Sequence, residues 1–185
     1  MITITSTTNN IGTDALNGMS VQKIWQLLSS VSDPEIPVLS VVDLGIIRKV
    51  TLTISPSGEI EDGLITITPT YSGCPAMDVI NFEIKLRLRE NGYSNIKTTT
   101  VLSPAWTTDW MTEQGKQKLK AYGIAPPNST QIVCHTRLFA EAEAIQCPLC
   151  NCYETQLISK FGSTPCKSLY QCMQCKEPFD YFKCH

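Results

Sequence analysis

Two short cysteine pairs near the C-terminus, Cys147-Pro-Leu-Cys150 and Cys172-Met-Gln-Cys175, constrain this chain more than anything else in it. A Cys-x-x-Cys step turns tightly and aims two thiolates at one point. The spacer from Asn151 to Gln171 is long enough for a hairpin that returns the second pair to the first. The spacing therefore predicts a tetrahedral site of four thiolates, a zinc ribbon over residues 147–185 with Zn²⁺ held by Cys147, Cys150, Cys172 and Cys175. A closed four-thiolate site keeps no position open for substrate, so its role is structural. An iron site of the rubredoxin kind is the alternative at the same sulfurs. A module this small is expected to fold only with its ion.

The remainder is long enough for one further core, since the chain has 185 residues. Its longest apolar stretch, residues 38–47, is broken by Ser40 and Asp43, which excludes a membrane span there. The net charge is −2 and the Lys and Arg residues are scattered along the chain, the nearest approach to a run being Lys116 to Lys120. A nucleic-acid partner would call for a concentrated basic face, so none is expected. No basic residue precedes an apolar segment in residues 1–20, so the start does not read as an export signal. A cytoplasmic location follows as the expectation, with the nine cysteines reduced and available for metal or chemistry.

Along the chain, residues 1–19 are rich in Thr, Asn, Gly and Ser and read as a disordered tail. Ser20 can cap a helix to about Ser30 that puts Val21, Ile24, Trp25, Leu28 and Val31 on one face. Asp33-Pro34-Glu35-Ile36-Pro37 ends it. Residues 46–54 and 64–68 read as strands joined through a Ser-Pro-Ser-Gly turn. From Pro75 to Asn91, Ile80, Phe82, Ile84, Leu86 and Leu88 alternate as in a strand. Length, composition and the Pro75 start decide for a helix. Residues 96–102 form a third strand, and Thr112 caps a helix closed at Gly123. The predicted class is α+β: a small three-stranded mixed sheet with helices over residues 20–125, a linker over 126–146, then the ribbon over 147–185.

Cys74 lies in Tyr71-Ser-Gly-Cys-Pro75, between a strand and the helix that follows. A cysteine at a helix start faces unpaired N–H groups and the positive dipole end, which lower a thiol's pKa. Asp78 opposes this one turn on. A structural, half-buried cysteine fits the same position. Asp33, Glu35 and Asp43 suit turn formation beside proline, and also suit a set of carboxylates near Cys74.

Two motifs, Asp33-Pro-Glu-Ile-Pro-Val-Leu-Ser-Val-Val-Asp-Leu-Gly-Ile46 and Tyr71-Ser-Gly-Cys-Pro75, resemble the metal–sulfur cluster assembly-factor family, which includes SufT and the cytosolic iron–sulfur targeting factors. With Ser103-Pro-Ala-Trp-Thr-Thr-Asp-Trp-Met111, and a tail from Phe161 through Cys184, the chain is similar to the PaaD family, small accessory subunits of bacterial phenylacetyl-CoA epoxidases. The resemblance implies a non-catalytic partner of an oxygenase that converts the phenylacetyl-CoA ring to an epoxide. That enzyme uses O₂ and takes electrons from NADPH through a flavin and [2Fe–2S] reductase to a di-iron subunit. It implies that the epoxidase subunits, the reductase above all, are the partners. It also implies a transient iron–sulfur cluster, Cys74 as the transfer thiol, and Asp33 and Glu35 as neighbours. The residues agree with chemistry done elsewhere: the chain has no Glu-x-x-His pair for a di-iron site and no Gly-x-Gly-x-x-Gly turn.

Several residues exceed these roles. Cys166 and Cys184 match the PaaD-like tail, and read either as structural or as additional thiol ligands. His185, the last residue, is a weak ligand candidate, and Cys152 reads as a free thiol. Cys134 and His135 are adjacent, which on a strand would point them to opposite faces, a poor nucleophile–base geometry. Trp106, Trp110 and Tyr122 read as core or as a docking surface. Phe179, Tyr181 and Phe182, on a module with little core, are expected to pack on the α+β domain or on a partner. A second function class stands beside the maturation factor: a structural adaptor that binds oxygenase subunits through its ribbon and aromatics.

Overall fold

The computed structural model describes residues 2–7, 15–127 and 145–183. Most of the linker expected over 126–146, and with it Cys134 and His135, lies outside the described residues, as do Cys184 and His185. The chain divides into two compact units, Met1–Trp106 and Thr107–His185.

The first unit runs β1 (Ile2–Ser6), α1 (Ala15–Ser29), β2 (Ile47–Ile54), β3 (Ile60–Ile67), α2 (Ala76–Glu90) and β4 (Ile96–Thr100). Its sheet has the order β1-β2-β3-β4. The β1–β2 and β2–β3 pairs are antiparallel, whereas β4 runs parallel to β3, with α2 as the crossover that parallel neighbours require. The class is the mixed α+β arrangement expected, with four strands rather than three. The extra strand is β1, whose Ile-Thr alternation pairs with the far edge of β2. The Trp25 indole N–H donates to Ser6 Oγ at 3.2 Å, which ties the end of β1 to α1.

The inward faces follow from the two periodicities. Val21, Ile24, Trp25, Leu28 and Val31 are buried together with Val50, Leu52, Ile54, Ile65 and Ile67 from the central strands. In α2 the apparent strand alternation resolves into two helical faces. Ile80, Ile84 and Leu88, four apart, are buried, while Val79 and Phe82 stand exposed. Gly63 sits where β2 and β4 close on β3: a Cβ there would lie 2.9 Å from Leu52 Cδ2 and 3.1 Å from Ile96 Cγ1.

The second unit contains a 3₁₀ turn (Thr108–Trp110), α3 (Glu113–Ala121), β5 (Ile124–Ala125), β6 (Thr155–Ser159), β7 (Lys167–Cys172) and β8 (Pro178–Phe182). Thr112 caps α3 as expected, its hydroxyl accepting the Gly115 N–H at 2.9 Å. Gly123 ends the helix in the left-handed region at φ 89°. The sheet order is β5-β8-β7-β6, so the residues just after α3 pair with the last strand. Phe179 and Phe182 meet the expectation only in part: the cluster around Phe179 includes Ala125, inside the expected 20–125 span, and is otherwise formed by residues 145–179. Both phenylalanines are buried in this unit itself, and Tyr170 packs between Phe179, stacked at 6.0 Å, and Tyr181, edge-on at 5.8 Å. The short strand β5 and Ile145 supply enough extra apolar surface for the ribbon to have a small core of its own.

Candidate metal centre and the Cys74 loop

The two cysteine knuckles repeat one backbone geometry. Cys147 N–H donates to the Cys152 carbonyl at 2.9 Å, and Cys172 N–H to the Glu177 carbonyl at 3.0 Å. Asn151 N–H returns to the Cys147 carbonyl, and Lys176 N–H to the Cys172 carbonyl, both at 3.0 Å. Each turn then needs its fifth residue in the left-handed region, where Asn151 has φ 62° and Lys176 φ 65°. Asparagine tolerates that conformation; lysine does so at some cost. The same local rule thus shapes both halves of the site.

Folding of β6 and β7 as a hairpin brings the knuckles together. The sulfurs of Cys147, Cys150, Cys172 and Cys175 all lie within 4.8 Å of one another. Cys147 Sγ is 3.8 Å from Cys175 Sγ, and Cys150 Sγ is 3.4 Å from Cys172 Sγ. A tetrahedron with metal–sulfur bonds of about 2.3 Å has edges of about 3.8 Å, so the donor set fits a four-thiolate metal site with little adjustment. Crowding splits the acidities of the metal-free thiols. At Cys172 the Cys175 N–H, then the Gln174 N–H and the Cys150 and Cys175 thiols, outweigh burial and bring the pKa down to about 6. At Cys150 the Cys152 N–H favours the thiolate, but burial and the neighbouring thiols, Cys172 first, push it up to about 12. Cys172 therefore gives up its proton readily, while Cys150 and Cys175, both raised, hold theirs until a cation displaces them.

The other cysteines stand apart. Cys152 Sγ accepts the Glu154 N–H at 3.2 Å and lies outside the four-sulfur group; its carbonyl closes the first knuckle. Cys166 is buried, with its sulfur 3.0 Å from the Thr164 hydroxyl, and is also outside that group. No described cysteine forms a disulfide.

Cys74 occupies a different kind of place. Gly73, at φ 85°, lets the chain turn back after Tyr71, and the Cys74 N–H donates to the Tyr71 carbonyl at 3.4 Å. Pro75 follows and α2 begins at Ala76. The thiol is half-buried. Its acidity differs from the sequence expectation: burial raises the pKa, and the Ala76 N–H and Tyr71 side-chain hydrogen bonds lower it only in part. The charges of Glu35 and then Asp33 raise it further. The helix-start effect is present and is outweighed.

Both carboxylates do bear on Cys74, and Asp33 also has a local task. Its Oδ1 accepts the N–H groups of Glu35 and Ile36, both at 2.8 Å, which shapes the turn around Pro34. Asp43 is buried and serves its own turn, Oδ2 accepting from Ser40 N and Ser40 Oγ at 2.9 and 2.8 Å. Trp106 is buried and its indole N–H donates to the Leu44 carbonyl at 2.9 Å, fixing the same loop. Tyr71 is the neighbour that the sequence reading did not single out. The signal was available, because the first and fourth residues of a tight turn come together.

Comparison with known proteins adds the family. Residues 21–92 match the iron–sulfur cluster assembly protein family, and residues 133–183 match the PaaD zinc beta ribbon domain. An Escherichia coli (strain K12) protein, named as one of the subunits of a "Putative 1,2-phenylacetyl-CoA epoxidase", is 47% identical over 165 residues, covering 89% of this chain and 93% of that protein. An "Fe-S protein maturation auxiliary factor" of Porphyromonas gingivalis is 33% identical over 101 residues, covering 53% of this chain and 89% of that protein. A solved domain of unknown function from Bacillus anthracis is 28% identical, covers 57% of this chain and 92% of that one, and superposes with a TM-score of 0.47. With an iron–sulfur assembly segment spanning Cys74 and a four-cysteine ribbon at its end, the chain belongs to the PaaD family of phenylacetyl-CoA epoxidase subunits.

Proposed function

We propose that the protein is a non-catalytic accessory subunit of a phenylacetyl-CoA epoxidase, and that it assists maturation of the [2Fe–2S] cluster of the reductase subunit through Cys74. The observation that carries this reading is a single accessible thiol on the tight turn at the head of α2, within a segment that matches iron–sulfur assembly proteins. The iron–sulfur cluster is cargo in this account. The raised pKa of Cys74 keeps the thiol protonated and unreactive in the resting protein. An approaching cluster is a positive centre at the sulfur, and would displace that proton. Burial, with Glu35 and Asp33, raises the proton's hold on the sulfur, so a proton competes with the cluster and restores the thiol once it leaves. Weak holding is what a transfer site requires.

The ribbon, over residues 147–185 in this reading, holds Zn²⁺ through Cys147, Cys150, Cys172 and Cys175 and supplies a folded docking module. In this reading the assembly-like domain spans 20–125 and 126–146 is the connection, with the stretch 107–125 folding in the ribbon's unit through the β5–β8 pair. A test compares cells that produce the epoxidase with wild-type protein or with Cys74→Ser. The expected result is a reductase depleted of iron and sulfide with the variant. A full reductase cluster in those cells would remove the transfer role. The alternative, a structural adaptor, is favoured by exposed Tyr153, Phe161 and Phe82. It expects Cys74→Ser to be silent and ribbon substitutions to abolish assembly of the complex.

A further inference from the structure

Four cations scattered through the sequence come together in the first unit. Lys85 and Arg89, one turn apart on α2, and Lys97 on β4 line a cleft of about 320 Å³, together with Tyr93, Ser94 and Thr98. Lys23, from α1, lies with its Nζ 5.6 Å from the centroid of the Tyr93 ring. The volume is at the small end of ligand-binding clefts. The residues along it carry three cationic groups and three hydroxyls. No carboxylate lines it.

The simpler explanation is that cations gather at the C-terminal end of a helix to complement its dipole. It accounts for Lys85 and Arg89 but not for Lys97 or Lys23, which lie on other elements. Nor does pairing explain the group. Three cations elsewhere are ion-paired: Arg87 with Glu90 at 3.6 Å, Lys116 with Glu113 at 2.8 Å, Lys167 with Asp180 at 3.7 Å. Among the described residues, Lys23, Lys85, Arg89 and Lys97 have no such ion pair. In a chain of net charge −2, three such cations in the lining of one cleft, with Lys23 over the Tyr93 ring beside it, are a local excess.

We propose that this cleft binds a diphosphate group. Compact charge and many acceptor oxygens match a lining of cations and hydroxyls, and arginine grips phosphate oxygens in pairs. Free pyrophosphate and a nucleoside diphosphate both carry that group. The test is calorimetric titration of the metal-loaded full chain at low ionic strength with inorganic pyrophosphate, and separately with ADP. Saturable one-site binding of pyrophosphate is expected. Arg89→Gln and Lys97→Gln should each weaken it about tenfold or more, and Lys116→Gln, whose lysine is paired with Glu113, should leave it unchanged. Equal affinity for ADP would mean that only the diphosphate is read, and tighter ADP binding that a nucleotide is the source. Arg89, Lys97 and Lys85 are exposed, whereas the Lys116 side chain is only 15% exposed; circular dichroism checks the fold of every variant, and Lys85→Gln replaces a cleft variant that fails. Three results would each overturn the proposal: no saturable binding, equal weakening by Lys116→Gln, or binding of a glutamate-rich peptide without binding of pyrophosphate.

Discussion

The ribbon and the Cys74 loop both present sulfur, and they do so by opposite designs. In the ribbon four thiols converge within 4.8 Å, and nearby N–H groups draw one of them down to a pKa of about 6. At Cys74 one thiol stands alone, half-buried, with two carboxylates acting against its ionisation. The first arrangement has the donor set of a structural metal site. The second suppresses the thiolate. The difference lies in how many thiols converge and in what surrounds each: N–H groups at Cys172, burial and then two carboxylates at Cys74.

The largest expected effect tests the ribbon. Cys172→Ser removes a ligand whose pKa is drawn down to about 6, and should release the metal and abolish protection of β6–β8 in hydrogen exchange, while β2 and β3 keep theirs. A ribbon that stayed protected without metal would break the contrast from one side. From the other side, Cys74→Ser should leave metal content and folding unchanged. Loss of the ribbon metal in that variant would mean that the two sites are not separate.

A smaller effect concerns acidity. Because its pKa is raised, Cys74 is mostly protonated near neutral pH, and its alkylation rate should go on climbing beyond pH 9, the ordinary value. Glu35→Gln removes one opposing charge, lowers the pKa and should speed alkylation at neutral pH by about two- to threefold, read by peptide mapping. An unchanged rate would show that the carboxylate has no hold on the thiol. Smallest is Lys176→Gly, which relieves a left-handed lysine in the second knuckle. It should stabilise the metal-loaded ribbon by up to about 1 kcal/mol, seen as a higher unfolding midpoint. The same change at Asn151 should do less, since asparagine already suits that conformation.

What the sequence disclosed follows the range of the forces involved. The ribbon was legible because its chemistry is local: a two-residue gap fixes each knuckle, and one hairpin joins them. The helices were legible from Thr112 and Gly123 at the ends of α3, and from the face of Val21, Ile24, Trp25 and Leu28 on α1. The alternation at Ile80, Phe82 and Ile84 pointed two ways, and helix propensity decided it correctly. The first-strand pairing was not legible, since a five-residue strand at a sheet edge depends on its partner β2. Tyr71 beside Cys74 required recognising the turn. The sign of the Cys74 shift depended on burial and on Glu35 and Asp33, far away in the chain. Lys23, Lys85, Arg89 and Lys97 looked scattered because only the fold brings them together.

The most direct measurement is metal and acid-labile sulfide content of protein purified without air, for wild type, Cys74→Ser and Cys172→Ser. The account expects one zinc per chain in wild type and in Cys74→Ser, and none in Cys172→Ser. Zinc retained by Cys172→Ser, or lost from Cys74→Ser, would contradict the division between a site that holds its metal and a thiol that does not.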